Sequence, residues 1–75
     1  MGHIVAVAGP IPLGSFLKLC GAAPTGGEAK RLVQGGAVSV NGAVELRRGH
    51  KVVPGDVVVV KGATYVAGHD REPDA

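Results

Sequence analysis

Aromatic residues and cysteine are scarce in this 75-residue chain, which has one Phe, one Tyr, no Trp and one Cys. A single cysteine cannot form a disulfide within the chain, and a small domain without bridges is typical of a reducing compartment, so we expect a cytoplasmic protein. With so few rings, the core must be built from Val, Ala and Leu. Readout of nucleic-acid bases by aromatic stacking is not expected either.

The chain also lacks a long apolar run and a basic leader. The apolar segment at residues 3–8 is too short to span a membrane, so it is predicted to be a strand, and no membrane association is expected. The 13 glycines stand singly or in pairs at predicted element ends. This pattern indicates one compact domain with tight turns, which we place at residues 1–67.

Catalytic and metal-binding patterns are missing as well. The histidines are scattered, without a cysteine or carboxylate at ligand spacing: His3, His50 and His69. The pair Gly21 and Gly26 begins like a phosphate-binding P-loop, but Gly27 stands where that motif needs Lys. Cys20 falls on the predicted buried face of a helix, which argues against a nucleophile. We therefore expect no enzyme, no metal and no cofactor.

What the chain does have is basic charge with an uneven distribution. Residues 1–67 carry seven basic side chains against three acids, whereas residues 68–75 carry three acids against one Arg. A body this basic suits a polyanion, because neutralising phosphates releases condensed counterions. The last eight residues have no apolar anchor, so residues 68–75 are predicted to be a disordered acidic tail.

The segment 25–42 predicts a short basic helix followed by a hairpin. Thr25 and Glu28 have the spacing of a capping box, so a helix should begin at Gly26. Its apolar residues share one face and its basic residues the opposite, solvent-facing arc: Ala29, Leu32 and Val33 against Lys30 and Arg31. Asn41-Gly42 between two alternating apolar runs predicts a tight turn.

The rest of the chain completes a mixed pattern. An amphipathic helix is predicted from about Pro12 to Gly21, with Lys18 on its outward side. After it, alternation predicts a half-buried hairpin: Val38 and Val40 around Ser39, then Val44 and Leu46 around Glu45. A basic loop, an apolar run at residues 57–60 and a last strand near 64–67 follow. The order β-α-α-β-β-β-β predicts an α+β domain, two short helices packed on a small, mainly antiparallel twisted sheet.

Five motifs are shared with a known family: Phe16-Leu-Lys, Gly26-Gly-Glu-Ala-Lys30, Gly36-Ala-Val-Ser-Val-Asn-Gly42, Arg47-Arg and Pro54-Gly-Asp56. Through them the segment 13–60 resembles the alpha-L RNA-binding domain named after the fourth small-subunit ribosomal protein, the S-four domain, and especially its small free-standing bacterial members. The resemblance implies binding of structured RNA through the helix pair and the adjoining loop, without catalysis. The expected partner is ribosomal or transfer RNA, or the ribosome, and the expected state is a monomer.

The predicted RNA-binding residues are the outward cations together with two glycines at a helix start: Lys18, Gly26, Gly27, Lys30, Arg31, Arg47, Arg48 and Lys51. Family members often carry a basic side chain where this chain has Gly26. Exposed backbone N–H groups there can meet a phosphate instead, or the glycines only let two helices pack closely. Three cations within residues 47–51 repel one another, which favours an anionic partner. The alternative is a protein-interaction module that docks on an acidic protein.

Overall fold

Two helices and seven short strands follow one another in residues 2–69, the part of the chain that the computed structural model describes. They are β1 (Gly2–Val7), β2 (Ile11–Pro12), α1 (Leu13–Leu19), α2 (Gly26–Gln34), β3 (Val38–Val40), β4 (Ala43–Val44), β5 (Lys51–Val52), β6 (Val57–Val60) and β7 (Ala63–His69). The predicted α+β class with two short helices is confirmed. Neither helix of this described part is long and apolar enough to cross a membrane.

Five strands form the main sheet in the order β1-β7-β6-β3-β4, and β2 pairs with β5 in a small second sheet. The pairs β3–β4, β3–β6 and β6–β7 are antiparallel, as predicted. The pair β1–β7 is parallel and joins the two ends of the described chain. The sequence did not predict this pairing, because alternation gives the faces of a strand but not its partner.

Strand β7 extends further than the sequence predicted. Gly68 pairs with Ala6 and His69 with Val7, so both residues belong to the sheet. The prediction of a disordered tail over residues 68–75 is therefore wrong for 68 and 69, which are held by backbone pairing rather than by apolar side chains. The rest of the predicted tail, residues 70–75, lies outside the described residues.

The core lies between the two helices and one face of the main sheet. Fully buried residues come from both layers: Leu13, Phe16 and Leu17 of α1, Ala29 and Val33 of α2, and Val38, Val58 and Val60 of the strands. The helix spacing and the strand alternation thus meet in one apolar cluster. This packing turns Lys18 and Lys30 to the solvent side of the helix layer.

Helix α2 begins and ends by local hydrogen bonding. The Thr25 hydroxyl accepts from the Glu28 N–H at 3.1 Å, which confirms the predicted start at Gly26. At the other end, Gly36 has φ +79° and donates to the Val33 carbonyl, while the Ala37 N–H donates to the Leu32 carbonyl. These two bonds form a Schellman motif, which ends the helix.

The hairpin turn at Asn41-Gly42 is also confirmed, with both residues at positive φ, as a type I′ turn requires. Asn41 does more than turn the chain. Its amide donates to the Asp56 carboxylate at 3.0 Å and accepts from the Val57 N–H at 2.9 Å. The same carboxylate accepts from the Val53 N–H at 3.0 Å. These bonds tie the hairpin to the turn before β6.

Candidate functional site

The loop between β4 and β5 is fixed to the start of helix α1. The Leu13 N–H donates to the His50 carbonyl at 2.7 Å, and the Gly14 N–H donates to the Arg48 carbonyl at 3.0 Å. N–H groups in the first turn of a helix have no partner within the helix, so another segment must satisfy them. Here the loop carbonyls do so, and α1 thereby sets the position of the basic loop.

Gly14 allows Arg48 to lie against the helix. Gly14 is buried, and a Cβ atom built on it would stand 2.6 Å from Cγ of Arg48 and 3.0 Å from its Cδ. Non-bonded carbon atoms in a folded protein do not approach to 2.6 Å, so any larger residue at this position must displace the arginine or its loop. Sequence reasoning missed this role of Gly14, because the contact joins residues 34 positions apart.

An open groove of about 390 Å³ lies between α1, the start of α2 and this loop. Its lining is made by Pro12, Gly14, Ser15, Lys18, Gly26, Arg48 and Gly49. We call it the basic groove. Three of the predicted site residues, Lys18, Gly26 and Arg48, come to it from three separate segments. Both cations are exposed, so the groove presents positive charge beside the N-terminus of a nine-residue helix.

The other predicted site residues lie outside the groove lining. Lys30 is exposed and follows Gly26 by one helical turn, on the same side of α2. Lys51 is exposed and pairs through its backbone with Pro12, a lining residue. Gly27, Arg31 and Arg47 are exposed as well. The structure thus brings Lys18, Gly26 and Arg48 together, with Lys30 and Lys51 next to them.

Ion pairs divide the predicted cations into two groups. Among residues 2–69, Arg31 pairs with Glu28 at 3.6 Å, and Arg47 pairs with Glu45 at 3.1 Å. Within the same range no ion pair involves the four remaining cations of the prediction, Lys18, Lys30, Arg48 and Lys51. These four are therefore the side chains whose charge an external anion can use most fully.

Glu45 organises the basic loop, a role that sequence reasoning missed. The backbone N–H and Nε of Arg47 both donate to its Oε2, at 3.0 and 3.1 Å, and Nδ1 of His50 lies 3.2 Å from its Oε1. The Glu45 side chain is 16% exposed, whereas Val44 and Leu46 are 62% and 57% exposed. The predicted alternation, with the two apolar residues buried and the glutamate exposed, is therefore inverted. Part of the charge repulsion in the loop is thus already offset within the chain.

The pKa of Glu45 should depend on Arg47. Hydrogen bonds from the side chain and backbone of Arg47 stabilise the carboxylate and hold the pKa of Glu45 below its ordinary value. A depressed folded-state pKa means that the stabilisation is present above the unfolded-state pKa and is lost as pH falls through the folded value. In Arg47→Ala, the NMR titration midpoint of the Glu45 carboxyl should rise. Arg48→Ala is the control, and an equal rise there would contradict the assignment.

Cys20 is half-buried, its Sγ lies 3.5 Å from the Leu17 carbonyl, and burial raises the pKa of the thiol. A raised pKa disfavours the thiolate, which is the reactive form. In the part of the chain that the structure describes, no group of three His, Cys, Asp or Glu residues could hold a metal ion.

Two comparisons with known proteins bear on this site. A family model described as the S4 domain matches residues 6–67, which include both helices and the whole groove. One similar protein is named "Probable ribosome maturation protein RlbA", from Bacillus subtilis (strain 168). The two chains are 44% identical over 52 residues, and the alignment covers 69% of this chain and 73% of the relative.

Proposed function

This chain belongs to the S4 domain family, and on that premise we propose that it binds structured RNA, without catalysis, through the basic groove. The relative's printed name concerns ribosome maturation, so the proposed RNA is ribosomal, with transfer RNA as the second choice. The proposed setting is a cytoplasmic ribosomal particle. In this proposal Lys18, Arg48 and the backbone of Gly26 contact phosphates directly.

The observation that carries the proposal is the convergence of Lys18, Arg48 and the start of α2 on one concave surface. Lysine offers a point charge, arginine a planar fork of donors, and a helix start offers free N–H groups, and all three suit phosphate oxygens. The deep major groove of an RNA helix hides the base edges, so such contacts recognise shape and backbone more than sequence.

The remaining predicted residues take graded roles in this proposal. Lys30 and Lys51 flank the groove and extend the contact along the RNA backbone. Arg31 and Arg47 already pair with carboxylates, so a phosphate must compete with Glu28 or Glu45 for them. We therefore place these two arginines, together with Gly27, at the periphery of the interface.

The salt dependence of binding tests the proposal. If Lys18, Lys30, Arg48 and Lys51 each neutralise one phosphate, log affinity for a structured rRNA fragment should fall with log salt with a slope of about −2.8 to −3.6. An acidic protein of similar charge serves as the comparator for the protein-docking alternative. Binding to that protein as tight as to RNA, or a slope near zero on RNA, would contradict the proposal.

A further inference from the structure

The face of the main sheet turned away from the helices is mostly apolar and, within the described residues, uncharged. Strand register places Val44, Ser39, Val59 and Thr64 in one row across β4, β3, β6 and β7. A second row holds Val57, Val66 and Ile4 across β6, β7 and β1. We call these seven residues the outer sheet face. No Lys, Arg, Asp or Glu is among them.

Five of the seven residues are apolar, which is unusual for a sheet that, in the described part of the chain, helices cover on one side only. Such sheets normally alternate between apolar residues toward the core and polar residues toward water. In β6, Val58 and Val60 already fill the core, yet Val59 on the opposite face is also valine and is 36% exposed. Ile4 is 79% exposed and Val44 62%. Core packing therefore does not account for the apolar residues on the outer face.

We propose that the outer sheet face docks on an apolar, uncharged protein surface beside the RNA that the basic groove binds. This inference rests on the proposed function. RNA itself does not suit the outer face, which offers phosphates neither a cation nor an N–H-rich helix start. An apolar centre without charge is instead typical of the buried core of protein–protein interfaces.

The size of the face indicates where that protein lies. With strands about 4.8 Å apart and outward-facing residues about 6.6 Å apart along each strand, the seven residues of the outer sheet face cover roughly 220 Å². A stable complex of two free proteins buries about 800 Å² on each partner, so neither a second copy nor a free protein would be held firmly by this contact alone. A weak second contact becomes effective when RNA binding has already tethered the chain nearby. The partner is therefore a protein of the same RNA–protein particle.

The two layers of the fold make simultaneous binding possible. Lys18 and Lys30 are exposed in the helix layer. The strand register places Val59 and Val44 together on the other face of the sheet. RNA in the basic groove would leave the outer sheet face free. The chain can thus bind RNA through its helix layer and a protein through its sheet at the same time.

The test compares intact ribosomal subunits with protein-free rRNA prepared from the same particles. Val59→Lys and Val44→Lys, made separately, should each lower affinity for the intact subunits about ten-fold or more. Affinity for protein-free rRNA should stay unchanged or rise slightly, because an added cation cannot weaken attraction to phosphates. Leu19→Lys is the matched control. Leu19 is an apolar side chain 54% exposed in the helix layer, and its replacement should spare binding to the subunits.

Circular dichroism first shows that the variants fold, and each binding result then supports or overturns the inference. A parent protein that binds subunits no more tightly than protein-free rRNA overturns the inference and leaves the proposed function standing. Equal losses on both probes would also overturn it, because the outer sheet face would then contact RNA. Tight self-association abolished by Val59→Lys would assign the face to a second copy. A parent protein that binds neither intact subunits nor protein-free rRNA would contradict the proposed function, and the inference with it.

Discussion

Replacing Lys18 and Arg48 together by glutamine should lower the affinity for structured RNA on the order of 20-fold at 0.15 M salt. Each lost phosphate contact removes about 0.7 to 0.9 from the salt slope, which corresponds to roughly four- to five-fold in affinity at that salt concentration. The double variant should therefore lose about 1.4 to 1.8 of slope. Glutamine keeps part of each aliphatic stem, and exposed cations contribute little to folding, so the melting temperature should hardly change.

Lys61→Gln is the charge-matched control for each single variant. The Lys61 ammonium donates to the Ala22 carbonyl at 2.9 Å, and Lys61 does not line the groove. Its replacement should leave the slope nearly unchanged, whereas Lys18→Gln and Arg48→Gln should each reduce it. Should the double variant keep the parent's affinity and slope, the basic groove is not the RNA site, and docking on an acidic protein becomes the better explanation.

Gly14→Ala should weaken RNA binding roughly four-fold, although it changes no charge. The new methyl group would stand 2.6 Å from Cγ of Arg48, so the arginine must rotate away or the loop must leave the start of α1. Either movement takes the guanidinium from its position at the groove. The salt slope should fall by about as much as in Arg48→Gln, since the same phosphate contact is lost. A titration of structured RNA against salt measures both quantities.

Gly49→Ala is the control for Gly14→Ala. Gly49 lies in the same loop and lines the same groove, but a Cβ atom there would meet nothing within 4 Å. The RNA affinity and the salt slope of Gly49→Ala should match those of the parent protein. If Gly14→Ala also matched the parent, the approach of Arg48 to the helix would have no part in binding, and Gly14 would serve only the packing of the loop.

Local chemistry explains the part of the fold that could be predicted from the sequence. The start of α2 depends on one hydrogen bond between Thr25 and the Glu28 backbone. The sequence predicts this bond because Thr and Glu stand three positions apart, the spacing of a capping box. The turn at Asn41-Gly42 needs two residues at positive φ, and these two residue types tolerate it best. The order of these elements then gave the α+β arrangement, and the resemblance to a family supplied the choice of structured RNA.

Contacts between distant segments explain what could not be predicted. The parallel pairing of β1 with β7 leaves no local signal, and neither does the approach of Arg48 to Gly14. The alternation of Val44, Glu45 and Leu46 was interpreted with the wrong phase, because the two-residue turn pairs Val44 with Ser39, on the face away from the core. Glu45 then turns to the loop, where Arg47 and His50 bind it.

The parallel pairing of β1 with β7 also bears on how the protein responds to force. The chain enters β1 at Gly2 and leaves β7 at His69, at opposite ends of the strand pair. Pulling the two ends apart would slide one strand along the other and load all six register pairs at once, instead of opening them one after another. Forced unfolding is governed by the barrier to that first step. A pull along this axis should therefore meet far more resistance than one that peels β4 from the other edge.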